Sequence, residues 1–319
     1  MTLIPVFIFV FVLEYLYFRL ANWLNIIDKP NERSSHSRIT LRGGGIIFPA
    51  AAMVFFFLYG FNYPLFFAGL ILISLISFCD DIKPLPNKIR IVIHFIAVLF
   101  LFVQWELLSQ LPLWFIIPLL IFAAGIINAF NFMDGINGMT GGYGLVVLTG
   151  LGYVNLFHTE FVDQNLINVI FISLLVFNFF NFRTKAKCFA GDVGSVSLAF
   201  IIVFLLGSLI LKTLNITWLM FIAVYGVDSV LTIIHRLYLR ENIFRPHRKH
   251  LYQLLANEKQ IPHIIVSSIY MTVQTIIIIV LLFGGNYGNF IAGIFSVTLL
   301  IILATIYLTI KIKSNRLFS

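Results

Sequence analysis

Residues 63–81 read YPLFFAGLILISLISFCDD. Residues 63–79 are an apolar run without a charged residue, and two adjacent aspartates follow it. Similar apolar runs recur along the chain, and they do not alternate between apolar and polar residues as transmembrane β-strands do. Hydrophobic residues make up 60% of the 319 residues and charged residues only 11%, whereas a soluble domain carries roughly 25% charged residues. The sequence therefore predicts an all-α, multi-pass integral membrane protein.

The apolar runs predict about eleven transmembrane helices, with ten as the alternative count. The first run, Leu3 to Leu20, has no basic segment before it and no small-residue cleavage site after it, so we interpret it as a retained helix. Residues 1–319 are predicted to form one transmembrane domain. The predicted spans are 3–21, 44–61, 63–79, 89–104, 111–131, 139–157, 165–182, 193–212, 216–235, 263–283 and 287–310.

The distribution of lysine and arginine predicts the orientation of these helices. Nearly all of the 21 basic residues fall on one side of the predicted membrane, in loops 22–43, 80–90, 183–192 and 236–262 and in the C-terminal tail. Cytoplasmic segments carry this excess, so the N-terminus is predicted outside and the C-terminus in the cytoplasm. The same bias explains the net charge of +8, and we expect no nucleic-acid partner.

Four carboxylates lie where these apolar runs end, at the predicted cytoplasmic edge: Asp80, Asp81, Asp134 and Asp192. Acidic groups are costly near hydrocarbon unless they are paired, hydrated or metal-bound. Mg²⁺ prefers a few carboxylates together with water and substrate phosphate. The pattern therefore indicates a divalent cation and phosphate chemistry, although a solvated helix end would also explain the Asp80–Asp81 pair alone. Lys88 and Arg90 follow this pair at a distance that could hold a second phosphate.

The loop 128–140 reads NAFNFMDGINGMT. Its polar residues Asn131, Asp134 and Asn137 are spaced by three, so one helical turn would place them on one face. Such a strip suits ribose, phosphate or metal-bound water. A glycine-rich break between two helices explains the glycines but not this spacing.

Two further loops carry residues suited to anions. In loop 183–195, Asp192 comes just before a predicted helix that Ser195 could cap, and a helix N-terminus favours an anion. Loop 236–262 contains clustered arginine and histidine, which suit a diphosphate, although such a cluster can also reflect topology or lipid headgroups. Asp228 and Glu14 lie inside predicted spans, and we interpret both as structural carboxylates.

Together these loops resemble the polyprenyl-phosphate N-acetylhexosamine-1-phosphate transferases, the superfamily that includes MraY and WecA. The resemblance rests on Asp80-Asp81 with Lys88, the block 128–138, the stretch Phe189–Ser195 and the basic loop, in family order. Lys29–His36 and Arg42–Gly45 also look like the family's first cytoplasmic loop. The form of the basic loop, with Tyr252 and Gln253, looks more like the WbpL-like branch.

The resemblance implies an enzyme of the bacterial plasma (inner) membrane. In the family, a prenyl phosphate such as undecaprenyl phosphate attacks a UDP-N-acetylhexosamine, and UMP leaves. The lipid-linked sugar would begin a cell-envelope glycan of the O-antigen or lipopolysaccharide type. The implied cofactor is Mg²⁺, with Mn²⁺ as an alternative. A homodimer is left open.

The resemblance also implies roles for individual residues. Asp192, with Asp81, looks like the metal ligand, and Asp80, Asp81 and Asp134 match catalytic positions. The implied substrate contacts are Lys88 for the lipid phosphate, Asn131 for the nucleotide, Phe189 for uracil, and Arg245, His247, Arg248 and His250 for the diphosphate or sugar. Asn137 is a further implied substrate contact, and because it stands where the family often has Asp, the chain lacks a second acidic group there.

Two other classes of protein compete with this interpretation. A transporter or ion pathway would place its carboxylates near the middle of the membrane, on discontinuous helices in repeated halves. A non-enzymatic scaffold that kept the fold would have lost the acidic motif residues. The acids lie at span ends and are present, so the sequence favours the transferase.

Overall fold

The structure is a computed structural model that describes residues 3–28, 39–242, 247–284 and 289–314. Arg245 and the stretch Lys29–His36 lie outside the described residues. Helices dominate the chain, as the apolar runs predict. They are α1 (Leu3–Trp23), α2 (Ile47–Leu58), α3 (Pro64–Ile82), α4 (Asn87–Gln104), α5 (Leu107–Gln110), α6 (Leu113–Met133), α7 (Met139–Phe157), α8 (Gln164–Asn181), α9 (Gly191–Thr213), α10 (Ala223–Tyr238), α11 (Leu251–Gln253), α12 (His263–Gly284) and α13 (Asn289–Lys313).

Within the described ranges, nine helical segments are long and apolar enough to cross a membrane. The 3₁₀ turn Ile216–Ile222 and α10 together form one of them. The all-α membrane class is therefore confirmed. The predicted spans 44–61 and 139–157 contain the short helix α2 and the glycine-rich helix α7, neither of which is among the nine. The count of eleven and the orientation stay predictions.

Helix α9 forms the centre of the bundle. In α9, 83% of the residues in the apolar segment are buried, against 17% in α13. It packs against α2, α3, α6 and α7. Small residues at its N-terminal end allow close approach: a Cβ on Gly45 would overlap the backbone of Gly194. Because α9 is enclosed by protein, its first turn is held in place by several other helices.

The outer helices instead expose large apolar side chains. Phe9, Leu16, Trp114, Ile276 and Ile301 are all well exposed. In water such a surface would be unfavourable, but hydrocarbon solvates it at no cost. This pattern agrees with a bundle whose periphery faces lipid.

A small strand pair lies beside the first turn of α9. Strands β1 (Ile27–Asp28) and β2 (Thr40–Leu41) pair antiparallel, with Ile27 opposite Leu41. The backbone N–H of Phe189 donates to the Leu41 carbonyl at 2.8 Å, and Gly44 N–H donates to the Phe189 carbonyl at 2.9 Å. These bonds hold the end of loop 22–43 against the loop that precedes α9.

Candidate active site

The five loops that the sequence places on one side of the membrane meet at one end of the bundle. Loop 22–43 bonds to loop 183–195 through Leu41 and Phe189. Loop 80–90 reaches the same segment through Asp81 and Asp192. Loop 128–140 joins it where Asn137 Nδ2 donates to the Arg183 carbonyl. Loop 236–262 joins loop 128–140 where the Tyr252 hydroxyl donates to the Phe132 carbonyl.

Three of the four predicted carboxylates form one cluster with two arginines. Arg42 Nε lies 2.6 Å from Asp81 Oδ1, and its Nη2 lies 3.0 Å from Asp192 Oδ1. Arg90 Nη1 lies 2.9 Å from Asp80 Oδ2, and its Nη2 lies 2.7 Å from Asp192 Oδ2. Asp192 is therefore shared by both guanidinium groups. We call these five residues the arginine–aspartate cluster.

Local backbone geometry builds this cluster. Asp81, near the end of α3, accepts the backbone N–H groups of Asp192 and Val193, each at 2.9 Å. These N–H groups lie in the first turn of α9, where they have no partner inside the helix, so the carboxylate satisfies them and matches the helix dipole. Gly191 adopts φ +70, and a Cβ there would lie 2.6 Å from Asp81 Oδ2 and 2.7 Å from Gly43 N. Only glycine fits this approach.

Charge within the cluster is nearly balanced. Three carboxylates face two guanidinium groups, so one negative charge is left when all are ionised. Burial lowers the pKa of Arg42, but the charges of Asp81 and Asp192 outweigh it and leave that pKa raised. Arg42 therefore stays protonated, and its planar fork suits two oxygen partners at once.

Asp134 lies next to this cluster on the loop that follows α6. Its Oδ1 accepts the Thr140 hydroxyl at 2.6 Å. Burial raises the pKa of Asp134 to about 7; the Thr140 hydrogen bond opposes this, and the charges of Asp192 and Asp81 add to it. The charges place Asp134 in the electrostatic field of the cluster, and a pKa near 7 suits a group that exchanges a proton at neutral pH.

The predicted polar strip of Asn131, Asp134 and Asn137 is wrong, because only Asn131 lies within a helix. Helix α6 ends at Met133, and the chain turns through Gly138, which adopts φ +79. Asn137 is buried, and its amide donates to the carbonyls of Arg183 and Thr184. The glycine-rich break therefore ends the helical register, and Asn137 ties two loops together.

Asn131 and Ser195 connect α6 to α9. Ser195 Oγ lies 2.9 Å from Asn131 Oδ1 and 3.0 Å from the Gly191 carbonyl. The predicted capping role of Ser195 is wrong, because α9 begins at Gly191 and already contains Asp192 in its first turn. Ser195 instead bonds within the helix and positions Asn131 beside it.

Mg²⁺ is the cation that the sequence predicts at these acidic residues. Carboxylate oxygens are the donors that this ion prefers. Across residues 3–28, 39–242, 247–284 and 289–314, no group of three or more His, Cys, Asp or Glu side chains converges to hold a metal ion, so Asp81 and Asp192 would need water and substrate phosphate to complete the coordination of Mg²⁺. The oxygens of Asp80, Asp81 and Asp192 face N–H donors instead.

The basic loop lies against the end of α6. The ring centroid of Phe132 lies 6.2 Å from that of His247 and 6.1 Å from that of His250. Burial, then the neighbouring His250 and Arg236, lower the pKa of His247 to about 3. His247 is therefore neutral at pH 7. Arg248 is half-buried nearby, and Arg245 lies outside the described residues.

Two predicted substrate contacts lie at the edge of the site. Phe189 is half-buried, beside the loop that carries Arg42, and Lys88 is exposed in the first turn of α4. Sequence reasoning assigned no site role to Arg42 and only a suggested phosphate contact to Arg90. Both signals were present: Arg42 precedes three glycines, and Arg90 follows Lys88 by two residues.

Comparison with known proteins supports the class of protein that the motifs predict. Residues 63–210 match the family model described as glycosyl transferase family 4. An undecaprenyl-phosphate alpha-N-acetylglucosaminyl 1-phosphate transferase of Salmonella typhi is 27% identical over 281 residues, which cover 79% of this chain and 75% of the relative. A probable undecaprenyl-phosphate N-acetylglucosaminyl 1-phosphate transferase of Bacillus subtilis (strain 168) is 26% identical over 261 residues, which cover 74% and 71%. A relative from Thermotoga maritima with the first of these names is 25% identical and covers 75% of each chain.

The fold and these matches define a multi-pass membrane transferase. Residues 63–210 match glycosyl transferase family 4, and the resemblance that the motifs suggested is confirmed. The matched range includes Asp80, Asp81, Arg90, Asp134 and Asp192. Assignment to the WbpL-like branch stays a prediction.

Proposed function

We propose that this protein transfers an N-acetylhexosamine 1-phosphate from a UDP-sugar to undecaprenyl phosphate and releases UMP. The reaction would take place at the cytoplasmic face of a bacterial plasma membrane. The lipid-linked product would begin a cell-envelope glycan, of the O-antigen or lipopolysaccharide type. The names of the relatives support the acceptor and the transferred group.

One observation carries this proposal: the arginine–aspartate cluster lies where α3, α4 and α9 meet, at the ends of apolar helices. One substrate is a lipid and the other is water-soluble, so a shared site has to lie at the membrane edge. Charges at helix ends suit such an interfacial enzyme better than a transporter, which needs them along a path through the membrane.

The cluster offers a way to bind the nucleotide diphosphate. A guanidinium group binds phosphate oxygens with the same paired geometry that it uses for carboxylates. Arg42 and Arg90 are partly exposed, with 31% and 19% of their side chains accessible. We infer that they turn from the aspartates to the diphosphate when substrate enters. The neutralised phosphates then accept attack more readily.

The aspartates that the arginines release can then act on the lipid phosphate. Asp80 and Asp81 would orient it or accept its proton, and Asp134 could serve as a further proton acceptor. A lipid phosphate oxygen forms a bond to the sugar-bearing phosphorus. The bond from that phosphorus to the bridging oxygen breaks, and UMP leaves with the electron pair. We propose direct attack, and a trapped phosphoryl group on Asp80 or Asp81 would overturn it.

Mg²⁺ dependence is part of the proposal, with Mn²⁺ as the alternative ion. It rests on the oxygen chemistry of Asp192 and Asp81 and on the family resemblance. It also requires a rearrangement, because these carboxylates face arginines in the structure.

The deciding experiment is an assay with purified protein in lipid nanodiscs. The reaction contains undecaprenyl phosphate, MgCl₂ and one member of a panel of UDP-sugars, and UMP release is measured. We expect release only when both the lipid and one UDP-N-acetylhexosamine are present. UMP release that is independent of the lipid, or absent with every UDP-sugar, would contradict the proposal.

A further inference from the structure

A second buried acidic group lies away from the arginine–aspartate cluster, beside the basic loop. Asp228 is buried in α10 and accepts four hydrogen bonds. The Tyr270 hydroxyl donates to its Oδ2 at 2.6 Å. Its Oδ1 lies 3.0 Å from the backbone N–H of Leu251, 3.2 Å from the Thr232 hydroxyl and 3.2 Å from Nδ1 of His250. The carboxylate therefore bonds to α12, to α11 and to the basic loop at once.

The histidine in this group is bonded on one side only. His250 is buried, and its Nε2 has no hydrogen-bond partner among the described residues. Leaving a buried polar atom unpaired is costly unless another molecule pairs with it. Its ring lies against Phe132, two residues before Asp134. The ring is therefore packed beside the segment that leads into Asp134.

We propose that Asp228 is a positioning residue that holds His250 with a proton on Nδ1 and so presents Nε2 to the substrate. An ionised carboxylate only accepts hydrogen bonds, so Nδ1 has to donate. The partner of one ring nitrogen decides the state of the other. This inference rests on the proposed function, because it gives His250 a hydrogen-bond donor of the UDP-sugar, such as a sugar hydroxyl, as its partner.

Rigid surroundings make Asp228 suited to this task. Thr232 and Tyr270 are buried, and the Thr232 hydroxyl also lies 2.8 Å from the Tyr307 hydroxyl of α13. Lys311, one turn further along α13, donates to the Lys249 carbonyl in the basic loop. The loop is thus tied to α10, α12 and α13. Rotation of the His250 ring would break its hydrogen bond to Asp228. Preorganisation of this kind lowers the cost of aligning a reacting group.

The first test uses the resting protein and requires no turnover. Nitrogen-15 NMR of histidine-labelled protein, with the His250 signals assigned by their loss in H250Q, reports which ring nitrogen carries the proton. We expect a protonated Nδ1 in the wild type and loss of that state in D228N. A neutral ring with its proton on Nε2 in the wild type would overturn the proposal, whether or not D228N folds.

The second test uses kinetics of UMP release. We expect D228N to lower kcat about 10- to 100-fold, as for other residues that orient a functional histidine, with little change in KM for the UDP-sugar. Because Asp228 acts through His250, the double variant D228N/H250Q should equal H250Q within about twofold. Full multiplication of the two single effects would show that Asp228 contributes only to stability.

The matched control is E14Q, the same substitution type at another fully buried carboxyl, in α1. Glu14 is paired with Cys188 and does not contact His250. We expect E14Q to leave the His250 signals unmoved and its kinetic effect, whatever its size, to multiply with that of H250Q. If no UDP-sugar yields UMP, the proposed function fails. The NMR test of Asp228 requires no turnover, so its outcome is decided separately.

Discussion

The two buried acidic groups differ in the partners that satisfy them. In the arginine–aspartate cluster, Asp192 is paired with two charged guanidinium groups that remain partly exposed. Asp228 is instead paired with hydroxyl groups, a backbone N–H and His250, nearly all of them buried. Long, partly exposed arginines can exchange a carboxylate for a phosphate. Packed hydroxyl and backbone donors cannot move in this way.

This difference suggests a division of labour within one site. The cluster is built to change partners as substrate enters, and the Asp228 group is built to stay still. Burying charges is costly unless partners compensate them, so both arrangements carry a stability cost that function can explain. Variants of each group should show whether the cluster behaves as a mobile part and the Asp228 group as a fixed part.

The largest effects should come from neutralising the cluster. We expect D81N and D192N each to reduce UMP release at least about 10³-fold. Asp192 pairs with both guanidinium groups, and Asp81 pairs with Arg42 and with two backbone N–H groups, so each substitution removes a charge that these donors require. Both variants should keep their helical circular dichroism and their thermal midpoint within a few degrees. Near-normal release from both variants would refute the site.

Next in size are changes to the arginines. We expect R42K and R90K to reduce UMP release about 10²-fold, because a lysine ammonium cannot bridge two carboxylates or hold a phosphate through a planar fork. The control is K83Q, an exposed lysine in the same loop as Asp81, which should change release by less than about threefold. Equal activity of R90K and wild type would show that charge alone is sufficient there.

Metal removal should sharpen the comparison further. We expect EDTA to abolish UMP release, and MgCl₂ or MnCl₂ to restore it, while the nitrogen-15 signals of His250 stay unchanged throughout. This follows because the cation is proposed to bind the carboxylates of the cluster, and none of these is the Asp228 that holds His250. Full activity in EDTA would mean that Arg42 and Arg90 neutralise the phosphates without a metal ion.

The smallest expected effect is on stability at Asp134, which feels the charges of the arginine–aspartate cluster. A carboxyl with a folded pKa of about 7 and an unfolded value of about 3.9 keeps its proton longer in the folded state. Its contribution to stability is therefore fully present below about pH 4 and is lost as the pH rises through 7. D134N avoids this loss.

We expect D134N to raise the thermal midpoint over wild type by on the order of 2 °C at pH 8 in EDTA, and to show no such gain at pH 4. T140V is the companion variant, since it removes the hydroxyl that stabilises the ionised carboxyl. It should lower the midpoint at pH 8 relative to wild type. A gain for D134N that is equal at both pH values would mean that Asp134 titrates normally.

Parts of the site could be predicted from local sequence. Asp80, Asp81, Asp134 and Asp192 all follow apolar runs, and helix ends at the membrane edge are a local property of hydropathy. The structure accordingly brings three of them into one cluster. The predicted stacking of Asn131, Asp134 and Asn137 is wrong, because spacing by three has meaning only while a helix continues, and α6 ends at Met133.

The partners of these acids could not be predicted in the same way. Arg42 and Asp192 are 150 residues apart in the chain, and nothing in the neighbourhood of either residue indicates the other. Likewise, Asp228 and His250 lie on different elements, and their pairing depends on how α10 packs beside the basic loop. Sequence reasoning named Asp228 a structural carboxylate without a partner.

By itself, the sequence determined the membrane class, the positions of the helices and the location of the acids at helix ends, because each depends on the transfer of local segments from water to lipid. Only the tertiary structure decided which cation meets which carboxylate, and which nitrogen of His250 is left open. Those outcomes depend on distances of about 3 Å between groups remote in sequence, where hydrogen bonds form or fail.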